Sequence, residues 1–524
     1  MTSPLRSMKP ILAVLLFAPA LHAAPLPADQ QAVHVLNRLA FGPRPGDVER
    51  VQRMGVQQYI DEQLHPEAIP LPPELVARLD RLETVKRSAG AALGDFLELR
   101  REVRNEEEGA KQRRRIEQGR AVREEAEARL ARAVESPRQL EEVMVDFWFN
   151  HFNVFAGKGI DRALVASYER DAIRPYALGS FRSLLGATAK HPAMLFYLDN
   201  VVSSAPRPNA KGRAQGLNEN YARELMELHT LGVDGGYTQK DVTELARILT
   251  GWTYLPRDWE QGGDAPFTFE PKRHDFGGKT LLGAHFDGSG ESEGEQALDM
   301  LARSPATARH LCWQLAQYFV ADDPPPALVE RMAKRYLQTD GDIREVLRVL
   351  FHSPEFWSAD HVGNKFKTPY QYVVSALRAG GVEVRNFRPA MNAMNQLGMP
   401  LYGCQTPDGW KNTESAWLNP ESMVYRLNFA TALGSGRLPL LRPEASLPVP
   451  DDGEAGPKPM NASMNNAPAE PEFGDEDRPP PPDPAQLEAT LGHPFSARTI
   501  AALDAARPRL RAALMLGSPE FMRH

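Results

Sequence analysis

The sequence predicts an all-α protein: a multi-helix globular body with a long charged helical hairpin inserted into it and at most a few short strands. Signals for helix starts recur along the chain, because a capping side chain directly precedes a proline, the residue that suits the first helical position. These pairs begin at Ser136, Ser304, Ser353, Asn419 and Ser518. Alternating apolar and polar runs, which mark strands, are scarce, and the best candidates are residues 267–269 and 280–282.

The first residues have the layout of a secretory signal peptide. Arg6 and Lys9 precede an apolar run over residues 11–21, and the small residues Ala23 and Ala24 follow. We expect cleavage after Ala23, so that residues 1–23 direct the chain through the general secretion route to a periplasmic or secreted location. We expect no transmembrane segment in the mature chain, since no later segment offers about 18 uninterrupted apolar residues.

Charge and cysteine content narrow the classes of partner and site. The 61 Lys and Arg against 68 Asp and Glu give a formal net charge of -7, which provides no broad positive field for nucleic acid. Cys312 and Cys404 are the two cysteines, and a disulfide and two separate buried thiols account for them equally well. No CxxC motif or Cys/His cluster occurs in the sequence, which disfavours a structural zinc site. Metal content and cofactors stay open.

The predicted helical body covers residues 24–437 and contains a charged insertion at about residues 73–140. The insertion includes "LRREVRNEEEGAKQRRRIEQGRAVREEAEARLARAV", which lacks proline and mixes Arg and Glu at helical spacing. This pattern favours a solvated, projecting helix or helical hairpin with internal salt bridges over an RNA-binding arm.

Two further segments follow the body. Residues 438–484 are rich in Pro, Asp, Glu and Asn, which predicts a disordered linker or loop. Residues 485–524 are predicted to hold a C-terminal helix that returns to the body, because "RPRLRAALMLGSPEF" resembles the earlier "DIREVLRVLFHSPEF". The last residue of each copy, Phe356 and Phe521, is predicted to be an apolar plug.

The helix predicted around "DFWFNHF" is almost entirely aromatic, yet it carries one polar stripe. Asp146, Asn150 and Asn153 fall on this stripe at 3.6 residues per turn, whereas His151 lies away from it. Such a stripe faces either a wet cavity or a buried polar network, and internal hydrogen bonding is the commoner arrangement.

Residues 218–252 carry the densest group of polar candidates. A helix is predicted over residues 219–231, followed by glycines and a second helix capped at Thr238. Asn220, Glu224 and Glu227 share one face of the first helix, with Arg223 beside them. His229 falls on the apolar core face, where a histidine is more often a hydrogen-bonded core residue than a ligand.

The two carboxylates allow two interpretations. Glu224 and Glu227 could grip a metal or share a proton, while Arg223 keeps them ionised. Structural ion pairs are the alternative that the spacing favours: Arg223 with Glu227, and Arg247 with Glu244 on the next helix.

A second candidate segment, "HDFGGK", covers residues 274–279. It combines the titratable pair His274 and Asp275 with two glycines that permit close backbone approach, and with Lys279, which could hold an anionic group. No second His-Asp pattern accompanies it in the sequence, so the segment does not indicate a metal phosphohydrolase. The sequence also contains no GxSxG, GxxxxGK[ST] or HExxH motif, which disfavours serine hydrolases, nucleotide hydrolases and common metalloproteases.

The chain resembles the bacterial family called domain of unknown function 1800. The resemblance runs from "HVLNRLAFGPRPGDVERVQRMGVQQYIDEQLHP" through "FWFNHFNVF", "HPAMLFYLDN", "NENYARELMELHTLGVDGGYTQKDV" and "LTGW" to "HDFGGKTLLG" and "SPEF", nearly the whole mature chain. It implies export and, as a partner, a secreted sulfatase-like protein. It supplies no catalytic residues, so the candidates rest on motif position and chemistry. The catalytic candidates are Glu224, Glu227, His229, His274 and Asp275, and the binding candidates are Asp146, Asn150, Asn220, Arg223 and Lys279.

Three functions follow from these patterns. The first is an exported accessory protein that binds or matures a partner, with the charged helix as a contact surface. The second is a hydrolase of a cell-envelope or extracellular polymer that uses Glu224 or Glu227 for acid/base chemistry near His229 or His274. The third is a structural or adhesion protein, for which residues 218–252 have no special role.

Overall fold

The computed structural model describes residues 26–105, 109–208, 214–254, 267–442, 474–492 and 495–524. The predicted signal peptide and most of the predicted linker lie outside these residues. Within them the fold is predominantly α-helical, which confirms the predicted class. None of the described helices is both long and apolar enough to cross a bilayer.

The first described elements are five short helices, of which the first three pack against one another. They are α1 (Ala28–Leu39), α2 (Asp47–Met54), α3 (Val56–Gln63), α4 (Pro73–Asp80) and α5 (Glu83–Lys86). Val35, Leu36 and Leu39 of α1 are buried at helical spacing, so α1 turns one apolar face to the core.

The charged insertion forms a helical hairpin of α6 (Ala89–Arg104) and α7 (Ala110–Glu135). The predicted solvated, projecting form holds for the tip but is wrong for the last turns of α7. There Glu125, Arg129 and Leu130 are at most 5% exposed, because the sequence changes from Arg and Glu to Ala, Leu and Val, whose small and apolar side chains allow α7 to pack into the body.

The aromatic helix α8 (Gln139–His151) lies in the centre of the body and is buried along nearly its whole length. The helices and turns that follow it cover one side: α9 (Asp161–Ser167), a π-helical segment (Tyr168–Ile173), α10 (Phe181–Lys190) and α11 (Pro192–Tyr197). Trp148 Nε1 donates to the Ala177 carbonyl at 2.9 Å, which satisfies the polar atom of a fully buried ring.

The described residues in the middle of the chain form a helical hairpin and three short antiparallel strand pairs. Helix α12 (Asn220–Glu227) is shorter than predicted, and α13 (Gln239–Ile248) begins at the predicted cap, where Thr238 and Asp241 form a capping box. The strand pairs are β1 (Arg207–Pro208) with β2 (Ala214–Gln215), β3 (Trp252–Thr253) with β4 (Thr268–Phe269), and β5 (Lys279–Leu281) with β6 (Ala284–Phe286). Both predicted strand positions are therefore occupied by strands.

The remaining helices complete the body. They are α14 (Glu291–Ala302), α15 (Pro305–Phe319), α16 (Pro326–Gln338), α17 (Ile343–Phe351), α18 (Pro369–Gly380), α19 (Arg388–Gln396), α20 (Glu414–Trp417), α21 (Pro420–Gly434), α22 (Pro484–Leu491), α23 (Ala497–Ala505) and α24 (Pro508–Leu516). Single 3₁₀ turns cover Pro66–Ala68, Arg174–Tyr176, Asn200–Val202, Pro271–Arg273, Ala359–His361 and Asp475–Asp477.

The predicted helix starts have three outcomes. Ser304 and Asn419 cap α15 and α21 as predicted, accepting hydrogen bonds from Ala306 N and Ser422 N. After Ser136, helix α8 begins at Gln139 and not at the predicted Pro137. The prediction is wrong at Ser353 and Ser518, which open turns. In each turn the serine hydroxyl accepts a hydrogen bond from the backbone N–H of the phenylalanine three residues later, at 3.2 Å and 3.1 Å.

The last residues of the chain contact α1, the first described helix. Phe521 is buried, and Phe366 and Arg523 form an isolated antiparallel bridge. His524 Nδ1 donates to the carbonyl of Asn37 in α1 at 3.0 Å. The two cysteines, Cys312 and Cys404, are both buried and free, so the structure contains separate thiols.

Candidate functional site

A cavity of about 340 Å³ opens between α8, α15 and the long loop that joins α19 to α20. It falls within the size range of ligand sites. It is lined by Arg129, Asp146, Phe147, Phe149, Asn150, His151, Asn153, Glu227, Leu228, Val233, His310, Trp313, Gln314, Gln317, Tyr318, Thr368, Met399, Pro400, Leu401, Tyr402, Asp408, Trp410, Lys411, Asn412 and Thr413.

The floor of the cavity is a buried ion network in which one arginine pairs with two carboxylates. Arg129 on α7 donates to Asp146 at 2.6 Å and to Glu169 at 3.2 Å. Burial raises the pKa of Asp146, and Arg129 opposes this rise. Burial alone would also raise the pKa of Glu169, but Arg129 and Arg174 hold it below its usual range. The buried arginine therefore keeps Glu169 ionised.

Tyr402 links this ion network to a second buried carboxyl group. Its hydroxyl lies 2.9 Å from Glu169 Oε2 and 3.3 Å from Glu125 Oε1. Burial, followed by the negative charge of Glu169, raises the pKa of Glu125. Tyr402 has φ +57°, a left-handed conformation that is costly for a residue with a Cβ, so its position depends on the contacts that surround it.

The guanidinium of Arg129 is also surrounded by aromatic rings. Its central carbon lies 5.1 Å from the centre of Phe149, 5.4 Å from Tyr370 and 5.4 Å from Tyr402. These distances are typical of cation–π contacts. The protein thus holds one cation with carboxylates and aromatic faces directly beneath the cavity.

The loop over the cavity is fastened to the polar stripe of α8. Asn150 Oδ1 accepts from the backbone N–H of Trp410 at 2.7 Å, and Asn150 Nδ2 donates to the Trp410 carbonyl at 2.8 Å. Asn153 Nδ2 donates to the carbonyls of Cys404 and Thr406. The predicted stripe is therefore both a hydrogen-bonded network and one wall of a cavity.

Gly409 permits this close approach. Its φ is +65°, and a Cβ at this position would lie 2.6 Å from Asn150 Oδ1 and would overlap the Asn150 backbone oxygen. Only a residue without a side chain fits both the backbone conformation and the contact.

Two histidines stand in the wall of the cavity, and both are kept neutral by burial. Burial, followed by the charge of His310, lowers the pKa of His151 to about 3, and burial also lowers the pKa of His310. His151 Nε2 lies 3.2 Å from the carbonyl of His229, and His310 Nε2 lies 3.2 Å from that of Leu228. Because a carbonyl only accepts, each Nε2 carries the proton.

The rim of the cavity is apolar and exposed, with carboxylates beside it. Val233 is 69% exposed and Trp313 is 41% exposed. Glu227 accepts a hydrogen bond from the hydroxyl of Tyr237 at 3.2 Å, and Asp408 pairs with Lys411 at 2.6 Å. A ligand would therefore pass apolar side chains before it reaches the buried polar floor.

Of the residues predicted on α12, Glu227 alone lines this cavity. Burial, followed by the negative charge of Glu227, raises the pKa of the neighbouring Glu224. Arg223 pairs with Glu219 at 3.4 Å, so the predicted pair of Arg223 with Glu227 is wrong. Asn220 Nδ2 donates to the Leu198 carbonyl at 3.4 Å, and His229 is buried on the core face as predicted.

The predicted "HDFGGK" residues form a separate cluster. Lys279 and His274 lie 2.6 Å and 3.3 Å from the same oxygen of the buried Glu293 on α14. Asp275 accepts from Arg247 on α13 at 2.7 Å, and Arg247 also pairs with Glu244 as predicted. The segment is thereby held between α13 and α14, and it does not line the cavity that Glu227 and His151 share.

Sequence reasoning missed several residues of the cavity. His310, Gln314 and Gln317 lie on one face of α15 at helical spacing, and this signal could have been read from the sequence. Arg129 was hidden in a run of many arginines. The helical spacing places His151 away from the stripe, yet His151 lines the cavity together with the stripe.

The described residues contain no group of three or more His, Cys, Asp or Glu side chains arranged to hold a metal ion. What the cavity offers is directional hydrogen bonding, aromatic faces and fixed charges.

Comparison with known proteins gives a family and no closer relative. No curated protein and no solved structure matches the chain. One family model, described as a protein of unknown function (DUF1800), matches residues 34–523. Since this match covers nearly the whole chain, including every element around the cavity, the protein belongs to the DUF1800 family.

Proposed function

We propose that this protein is an exported accessory protein that recognises a second exported protein through the cavity between α8 and α15. A secreted sulfatase-like protein is the partner implied by the family resemblance. The predicted signal peptide supports export, and the location is the periplasm or the medium.

The observation that carries the proposal is the combination of an exposed apolar rim with a preorganised polar floor. Val233 and Trp313 present apolar surface to solvent at the mouth. Asp146, Asn150 and Asn153 are already held by hydrogen bonds to Arg129 and to the loop. Such a site loses little conformational entropy when it binds a ligand, which favours recognition.

The test is capture of the partner from the native cell envelope with the mature protein as bait. A Val233→Asp variant places a charge on the apolar rim, and Val424→Asp on α21 is a matched control, because Val424 is 56% exposed and lies outside the cavity. We expect wild type and Val424→Asp to retain a sulfatase-like protein in near-stoichiometric amount and Val233→Asp to lose it. Equal retention by both variants, or wild-type protein that elutes alone, would overturn the proposal.

A hydrolase of a cell-envelope or extracellular polymer is the second candidate, and one observation favours it. Burial and the charge of Glu227 raise the pKa of Glu224, which makes Glu224 a candidate proton donor beside a cavity-lining carboxylate. Glu224→Gln and Glu227→Gln should then reduce turnover of an envelope polymer by orders of magnitude, while the control Glu330→Gln on α16 leaves it unchanged. Full turnover in both the Glu224→Gln and the Glu227→Gln variants would remove this candidate.

A further inference from the structure

We propose that the group which enters the cavity is a cationic side chain, arginine or lysine, presented by the bound partner. This inference rests on the proposed function, since it specifies the chemistry of the partner's contact. Four features of the cavity support it.

The first feature is the order of polarity from mouth to floor. The mouth is apolar and exposed at Val233 and Trp313, whereas Asp146 at the floor is 9% exposed. Arginine and lysine have the same order, an apolar stem that ends in a charged, strongly donating head.

The second feature is an unused acceptor. Asn412 lines the cavity, and its Oδ1 is buried and has no hydrogen-bond partner in the described part of the chain. An unpaired buried acceptor is unfavourable until a donor reaches it. A head group with N–H donors can satisfy this acceptor, and an apolar side chain cannot.

The third feature is the charge of the lining. Three carboxylates, those of Asp146, Glu227 and Asp408, face two cations, Arg129 and Lys411, and these cations are already paired. The histidines in the wall do not offset the difference, because burial lowers their pKa values. The lining is therefore negative by one charge and favours a positive ligand over an anion.

The fourth feature is the supply of aromatic faces. Phe147, Trp313 and Trp410 line the space above the floor. Arg129, directly beneath, shows how aromatic faces hold a guanidinium, with the rings of Phe149, Tyr370 and Tyr402 within 5.4 Å of it. A second cation above the floor would meet aromatic faces of this kind.

The test compares two compounds that differ in charge and hardly in shape: arginine amide and citrulline amide. Binding is followed by titration calorimetry and by fluorescence of the cavity tryptophans. We expect arginine amide to saturate the full-length mature protein with a Kd on the order of 1 mM, and citrulline amide to bind at least about tenfold more weakly. Glu227→Gln should weaken binding of arginine amide about tenfold, while the exposed control Glu330→Gln keeps it.

The outcomes separate this inference from the proposed function. Equal binding of the two amides, or unchanged binding by Glu227→Gln, would show that charge is not recognised and would overturn the inference. If arginine amide fails to bind while partner capture still depends on Val233, the proposed function stands and the inference falls. If arginine amide does not bind and partner capture does not depend on Val233, both the inference and the proposed function fall.

Discussion

The side-chain amide of Asn150 and the backbone of Trp410 exchange two hydrogen bonds, at 2.7 Å and 2.8 Å, across 260 residues of chain. One amide thereby replaces a neighbouring peptide group, accepting from the N–H and donating to the carbonyl of the same residue. Because Trp410 and its neighbours form one wall of the cavity, this pair connects the stability of the loop to the shape of the site.

Replacing Asn150 should loosen the loop. Asn150→Ala leaves the Trp410 N–H and carbonyl without their partner, and we expect a loss of about 1–3 kcal/mol in the free energy of unfolding. Asn150→Asp keeps the acceptor and loses the donor, so its hydrogen exchange over residues 406–413 should be intermediate. Urea denaturation and hydrogen exchange measure both effects. Exchange in Asn150→Ala that matches wild type would contradict the role of this pair.

Gly409 provides a test that separates backbone strain from steric contact. Gly409→Ala introduces a Cβ at φ +65° that would overlap Asn150, whereas Gly398→Ala introduces one at φ +82° with no atom within 4 Å. In both variants the left-handed conformation should lower the free energy of unfolding by about 1–2 kcal/mol. In Gly409→Ala the overlap with Asn150 should lower it further and should open the loop. Equal thermal unfolding of the two variants would show that the contact with Asn150 does not constrain the loop.

Arg129 should be among the most sensitive positions for stability. Arg129→Met leaves Asp146 and Glu169 without their shared buried cation, and removal of one partner from a buried pair costs about 3–5 kcal/mol. The exposed pair of Arg303 and Asp340 is the control, since water screens it. Denaturation near neutral pH should show a large loss in the free energy of unfolding for Arg129→Met, and Arg303→Met should resemble wild type. Similar curves for the two variants would contradict the buried network.

His191 should contribute to unfolding in acid. Burial, followed by the charge of Arg170, lowers the pKa of His191 from its usual 6.5 to about 3. The unfolded chain therefore takes up a proton that the folded protein excludes, so this contribution to stability is complete above about pH 6.5 and is lost as the pH falls toward 3.

The matching variant is His191→Asn, because asparagine can still accept the hydrogen bond from Ala193 N that caps α11 and cannot titrate. The free energy of unfolding of this variant should fall less steeply between pH 6.5 and pH 4 than that of wild type. His352→Asn changes an exposed histidine and should leave the slope unchanged. Parallel slopes for wild type and His191→Asn would exclude the buried histidine as a cause.

Periodicity and capping predicted most of the local structure. The stripe of Asp146, Asn150 and Asn153, the core position of His229 and the cap at Thr238 follow from residue type and helical geometry alone. Local rules failed where a proline motif opens a turn, as at Ser353. Whether a Ser-Pro pair starts a helix depends on how the next residues pack. At Ser353 the chain forms a turn, in which Phe356 is buried and its N–H donates to the serine hydroxyl.

The cavity could not be assembled from these patterns because its members come from distant segments. Arg129, Glu227, His310 and Trp410 lie on four separate elements, and only tertiary packing brings them together. The "HDFGGK" segment illustrates the opposite case, because its candidates are close together in the sequence. His274, Asp275 and Lys279 have the chemistry of a site, but their partners Glu293 and Arg247 use it to fix a loop.

The contact between His524 and Asn37 closes a loop of 487 residues. A ribosome releases the chain from its first residues onward, so α1 is made long before the segment that contacts Asn37. Contacts of such high sequence separation form slowly, because the two distant segments must first be brought together. The carboxyl-terminal turn therefore closes onto α1 only after the helices between them have been made.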